Sequence, residues 1–166
     1  MTMRKRNFFY IYFIVCLVIA DQISKYLISK SLALYQIIKI IPGFFNLTRV
    51  HNRGAIFGFL SNTNNSLALL LLNLGALLAF GIVAYYFIKT PSEMTLVKIA
   101  LALIIAGAMG NIIDRIFRGY VIDFLDFYLK RFHWPFFNLA DSCITIGAIL
   151  LLYNFFKGKE KCIQSS

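Results

Sequence analysis

Four runs of mostly apolar residues dominate the chain: Phe8 to Ile28, Leu67 to Ile88, Leu96 to Phe117 and Phe137 to Phe156. Each reaches the roughly 20 residues an α-helix needs to cross the hydrocarbon of a bilayer. Of the 166 residues, 60% are hydrophobic and only 14% are charged. One soluble core of this size cannot hide that much apolar surface, so lipid is the expected solvent. The predicted architecture is membrane α-helical, with four transmembrane helices at about 8–28, 67–88, 96–117 and 137–156. Residues 1–166 read as a single integral membrane domain, with no room for a separate soluble one.

The net charge of +10 invites a nucleic-acid reading, but the basic residues stand at the ends of the apolar runs and not on one polar face. Anionic lipid head-groups are the nearer partner, and no nucleic-acid partner is expected. Arg4, Lys5 and Arg6 precede the first span, Lys157, Lys159 and Lys161 follow the last, and Lys89 and Lys98 flank the middle connection. Four spans put these three places on one side. Their basic density exceeds that of the longer connections, which hold Lys30, Lys39, Arg49, Arg53, Arg118, Lys130 and Arg131. Both termini are therefore expected in the cytoplasm. Cys16, Cys143 and Cys162 have neither paired nor metal-type spacing, and the first two fall inside apolar runs where a quiet packing role is expected. Arg4 to Cys16 has the outline of a removable leader. Val15 is bulkier than the small residue such a cleavage site uses, and the apolar run continues past it, so a retained first span is expected.

The connection from Ser29 to Ser66 is long. Pro42-Gly43 signals a turn, Phe45, Leu47 and Arg49 alternate with Asn46, Thr48 and Val50, and Asn52-Arg53-Gly54 signals a second turn. A small extracytoplasmic β element over about 36–60 is predicted, followed by a polar loop from Ser61 to Ser66, with Ser66 as a candidate helix cap. After Pro91, Ser92 is the candidate start of the third span. The last connection, Arg118 to Phe136, is a periplasmic segment rich in aromatics, which favour head-group depth.

Acids are few, and Asp21, Asp114, Asp123, Asp126 and Asp141 all fall near the outer ends of spans or in the aromatic connection. Ionisable groups at membrane depth are costly and default to a paired or functional role. Asp21 and Lys25, one turn apart, can form a structural ion pair or belong to a substrate site. Asn111, Asp114 and Arg115 share a helix face and form either a buried scaffold or a substrate contact, the scaffold being favoured because the adjacent Arg115 would hold Asp114 ionised. Asn138 and Asp141 share a face at the start of the fourth span. A short return through Tyr120-Val121-Ile122 can bring Asp123 beside Asp141. Two carboxylates about 3 Å apart cannot both ionise, so such a pair keeps one proton and can run acid–base chemistry on water and a carbonyl. The alternative is two unrelated interfacial aspartates.

Other chemistries fit less well. His51 and His133 stand alone with no H-E-x-x-H, so no metal is expected. Ser24 and Lys25 are adjacent on a helix and do not face each other. There is no G-x-S-x-G elbow, P-loop or G-x-G-x-x-G, and no cofactor is expected. Asn73 suits interhelical packing. A small transporter or proton channel with the aspartates as a relay is the competing class, although its polar residues would sit near the midplane and not at one face. A non-enzymatic assembly factor is a third possibility.

The motifs together resemble lipoprotein signal peptidases (signal peptidase II). Asp21-Gln22-Ile23-Ser24-Lys25 is similar to their D-Q-x-x-K, and Asn52-Arg53-Gly54-Ala55 to N-x-G-A. The stretch Gly110 to Phe124 is similar to G-N-x-x-D-R-x-x-x-G-x-V-x-D-F, and Phe137 to Ser142 to F-N-x-A-D-S. Ile56-Phe57-Gly58 departs from the family, which often has Ala, an aromatic and Ser there. The resemblance implies a membrane aspartyl endopeptidase that cleaves prolipoproteins before a diacylglyceryl-modified cysteine, with Asp123 and Asp141 as the catalytic pair. It implies that Asn52, Gly54, Asn111, Arg115, Asn138 and Ala140 line or hold the substrate site, with Asp21, Lys25 and Asp114 in support. It also implies a site at the outer face of the bacterial inner membrane, contact with membrane lipids, and inhibition by globomycin.

Overall fold

The computed structural model describes residues 3–54 and 66–164, with side chains over 7–54 and 67–157. The order is α1 (Met3–Ser31), β1 (Ile37–Ile41), β2 (Phe45–Asn52), α2 (Ser66–Lys89), α3 (Thr95–Arg118), β3 (Val121–Leu129), β4 (Phe132–His133) and α4 (Leu139–Gln164). All four helices are long and apolar enough to cross a membrane. Each outruns its predicted span at one or both ends, because apolar content marks the lipid-facing length and not the hydrogen-bonded length. The last part of the expected β element, residues 55–60, and the polar loop at 61–65 lie outside the described residues, as does the side chain of Ser66.

α3 is the central helix, with α1, α2 and α4 packed on it. Ala100, Ala102, Ala106, Gly107 and Gly110 are buried along it. These small residues let backbones approach closely, the usual basis of packing where lipid removes any hydrophobic drive between helices. A Cβ on Gly107 would lie 2.2 Å from the carbonyl oxygen of Ala140, and one on Gly147 would lie 2.6 Å from that of Ala100. Large side chains such as Leu74, Leu78 and Ile149 point outward, as lipid solvent requires.

Where α2 turns into α3, Lys98 is 3% exposed and donates to the carbonyl of Phe87 and, at 2.9 Å, to that of Thr90. It thereby caps the C-terminal end of α2, where a cation is favoured. Ser92 does not start α3. The chain is still turning, with Met94 N–H on Pro91 O at 3.1 Å, and Met94 precedes the helix without a side-chain cap.

The strands form one antiparallel sheet in the order β1-β2-β3-β4. The aromatic connection, expected as a loop with one extended stretch, supplies half of this sheet. β3 has no clean alternation because Val121 through Phe124 are buried on both faces. Along β2 the polar Asn46, Thr48 and Asn52 are the buried residues, while all of β1, Ile-Ile-Lys-Ile-Ile, is exposed. Gly43 turns β1 into β2 with φ +83°, a conformation glycine adopts without penalty. Phe137 was expected to open the last span. Its carbonyl instead accepts the N–H groups of Phe124 (3.0 Å) and Leu125 (2.9 Å), so it lies with the sheet, and α4 begins at Leu139.

Candidate active site

The start of α4 fixes Asp141. The side-chain oxygen of Asn138 accepts the N–H of Asp141 at 2.9 Å, and Asp141 Oδ2 accepts the N–H of Asn138 at 3.3 Å. This is the reciprocal arrangement of a capping box, with Asn as cap and Asp three residues on. The helix dipole also favours a carboxylate there. Asp141 Oδ1 accepts a further bond from Asn111 Nδ2 at 2.8 Å.

Register fixes Asp123, which sits in β3 opposite Val50 of β2. Its Oδ1 accepts from Asn138 Nδ2 at 2.8 Å and its Oδ2 from Asn52 Nδ2 at 2.9 Å. Asn138 therefore bonds both aspartates, and Nδ2 also reaches Asn111 Oδ1 at 3.2 Å. Asp123 is 2% exposed and Asp141 7%. Burial first, and then the nearby Asp141 charge, push the Asp123 carboxyl up to about 7. The pair can therefore hold a proton near neutrality.

Beneath the pair lies a buried charge network. Lys25, fully buried, pairs with Asp21 at 2.8 Å and Asp114 at 3.1 Å and donates to Asn111 Oδ1 at 3.1 Å. Asp21 accepts the N–H of Ala140 at 3.0 Å, which ties α1 to the first turn of α4. Asp114 accepts the N–H of Ile122 at 3.2 Å, which anchors β3 one residue before Asp123. Gly110 leaves room for this, since a Cβ there would stand 2.5 Å from Asp21 Oδ2.

The sequence-predicted residues Asp21, Lys25, Asn52, Gly54, Asn111, Asp114, Arg115, Asn138, Ala140, Asp123 and Asp141 thus gather at one end of the bundle. One detail differs from expectation. Asp114 is held by Lys25 and Arg118, not by Arg115. Adjacent residues point about 100° apart on a helix, whereas i and i+4 share a face. Arg115 instead donates to Gly54 O at 2.9 Å, while Gly54 N–H donates to Asn52 Oδ1 at 2.9 Å, which orients the Asn52 amide toward Asp123. Asn111 donates to Asp141 directly. Asn111 and Arg115 also form the polar end of a cavity of about 400 Å³ between α2, α3 and α4, whose lining includes Leu71, Ala76, Phe80 and Ile144.

Sequence reasoning gave no role to Gln22 of the D-Q-x-x-K motif, which bridges Asp114 (3.1 Å), Gly110 O (3.1 Å) and Arg118 (3.1 Å). It also missed a second buried carboxylate cluster: Asp126, 1% exposed, holds Asn46 and His133, each at 2.8 Å. The i+4 spacing of Asp114 and Arg118 was available as a signal. The cross-strand partnership of Asn46 and Asp126 was not. Among the described residues, no three His, Cys, Asp or Glu side chains group as metal ligands.

The family description "Signal peptidase (SPase) II" matches residues 13–157. A lipoprotein signal peptidase of Alteromonas mediterranea is 43% identical over 143 residues, 86% of this chain and 78% of that protein. One of Burkholderia mallei is 45% identical over 139 residues, 82% of this chain and 81% of that protein. A solved bacterial membrane enzyme, determined by the in meso method at 2.3 Å resolution, superposes with a TM-score of 0.81 at 34% identity, covering 92% of this chain and 90% of that one. A second, at 1.9 Å, gives a TM-score of 0.75 at 33% identity, covering 89% and 92%. The network from Asp21 to Asp141 falls inside the matched stretch, and on this agreement of sequence and fold the chain belongs to the signal peptidase (SPase) II family.

Proposed function

We propose that this multi-pass membrane peptidase is an aspartyl endopeptidase that removes the signal peptide of prolipoproteins immediately before a diacylglyceryl-modified cysteine. Asp123 and Asp141 are its catalytic pair, within one membrane peptidase domain. The observation that carries the reading is the sharing of Asn138 by the two buried carboxylates. Asp123 carries the pair's proton and donates it to the scissile carbonyl oxygen. Asp141, held by Asn111 and the N–H of Asn138, takes a proton from water as the hydroxyl adds to the carbonyl carbon. When the tetrahedral intermediate collapses, Asp141 protonates the departing nitrogen and Asp123 recovers a proton from the diol. The apolar cavity ending at Asn111 and Arg115 suits a substrate with an apolar segment and acyl chains. Globomycin is expected to compete there.

Both termini lie in the cytoplasm and the site faces the outer side of the inner membrane, as the basic residues around Lys89 and Lys157 support. Family membership does not favour the transporter or proton-channel alternative. The test uses purified protein in detergent and a synthetic lipobox peptide with a diacylglyceryl cysteine, with products read by mass spectrometry. Cleavage before the modified cysteine is expected from the native protein but not from Asp123→Asn or Asp141→Asn. Cleavage by both variants would remove the aspartyl mechanism.

A further inference from the structure

The β3–β4 hairpin carries groups that the cleavage chemistry leaves unused. Leu129, Phe132 and Trp134 are 68%, 69% and 52% exposed. Lys130 and Arg131 form the turn among them and are exposed, Lys130 in the left-handed region at φ 56°. The tip is braced from below. Buried Asp126 holds His133 Nδ1 at 2.8 Å, and His133 stacks on Tyr128 with ring centres 5.0 Å apart. The Tyr128 hydroxyl accepts the N–H of Gly43 at 2.8 Å, tying the hairpin to the β1–β2 turn, where Ile41 and Phe44 are also half exposed.

In water such a tip would be an open, sticky edge. Its charge has one sign, since both acids of β3, Asp123 and Asp126, are buried while Lys130 and Arg131 are exposed. Its level is set at both ends. β3 begins just beyond the end of the spanning helix α3 at Arg118, and the chain enters the spanning helix α4 at Leu139. Aromatics at head-group depth beside paired cations match a lipid surface, apolar below and anionic above.

We infer that the β3–β4 hairpin docks on the membrane surface and selects anionic phospholipids, with Lys130 and Arg131 on head-group phosphates and Leu129, Phe132 and Trp134 among the upper acyl chains. The inference needs only the membrane-spanning fold and is independent of the aspartyl mechanism. Each cation near an anionic surface corresponds to roughly fivefold enrichment of the opposite charge.

Trp134 is the sole tryptophan of the chain, so its fluorescence reports this hairpin alone. The full-length protein is reconstituted in bilayers of equal parts phosphatidylcholine and phosphatidylglycerol, with brominated acyl chains on one lipid or on the other. Quenching is expected to be at least about fivefold stronger when bromine is on phosphatidylglycerol, the preference that a single cation supplies. High salt should remove the difference in the native protein. The Lys130→Gln/Arg131→Gln variant should lose it too while still being quenched by either lipid. Equal quenching by both lipids in the native protein at low salt would overturn the selectivity. Absence of quenching by either would overturn the docking and place Trp134 against water or a protein partner.

Discussion

Asn138 donates its side-chain amide to Asp123 Oδ1 at 2.8 Å, and its other side-chain atom, Oδ1, caps α4 at Asp141. One residue thus orients an acid on a strand and an acid on a helix, and the two jobs can be separated. Asn138→Ala loses both, with a stability cost of about 1 kcal/mol for the cap and an activity loss of about 10²-fold from a displaced pair. Asn138→Ser keeps a capping oxygen but not the arm to Asp123. It should unfold near the native temperature and remain about as inactive as the alanine variant, as followed by thermal unfolding and peptide cleavage.

Asp123 fixes the pH response. Burial and the Asp141 charge raise its carboxyl from 3.8 to about 7, so the pair keeps its proton below that pH and loses it above. Activity on the lipobox peptide should fall above pH 7 by about tenfold per unit. In Asp141→Asn the second cause is gone and the first remains, so Asp123 should titrate below 7 yet above its ordinary value. The carboxyl stretch in the infrared spectrum reads this directly, and an unmoved titration would argue against the coupling.

Lys25 is the buried counter-charge of Asp21 and Asp114. Removing one member of a buried ion pair leaves uncompensated charge, typically at a cost of about 3–5 kcal/mol. Lys25→Met should therefore lower the unfolding temperature in detergent markedly. Lys25→Arg should not restore it, because a residue with no exposed surface leaves no room for a guanidinium.

The α3–α4 contact is equally intolerant of a methyl group. Gly107→Ala drives a Cβ against the carbonyl of Ala140, beside Asp141, and should cost about 1–3 kcal/mol together with activity. Gly81→Ala, where a Cβ would meet nothing within 4 Å, should be neutral or slightly stabilising. Parallel unfolding and cleavage assays of the two variants make the comparison.

The spans are legible because lipid demands long apolar runs, and the acids stand out because lipid penalises them. Asp21 with Lys25 follows from helical spacing alone. The hairpin and the Asp126 cluster do not. β3 is buried on both faces, so its pattern lacks the period-two signal that betrays a half-buried strand. Phe137 looks like the start of a helix by its hydropathy, yet its carbonyl is taken by β3, a long-range partnership with no local signature. Arg118, and not the adjacent Arg115, holds Asp114 because residues four apart share a helix face and neighbours do not.

The capping box has one further consequence. Asp141 takes its place from the first turn of its own helix, and Asp123 from its register against Val50. The peptide joining them does not measure the distance between their carboxylates. Residues can be gained or lost at the hairpin tip as the sequence drifts, and the two acids will still share Asn138.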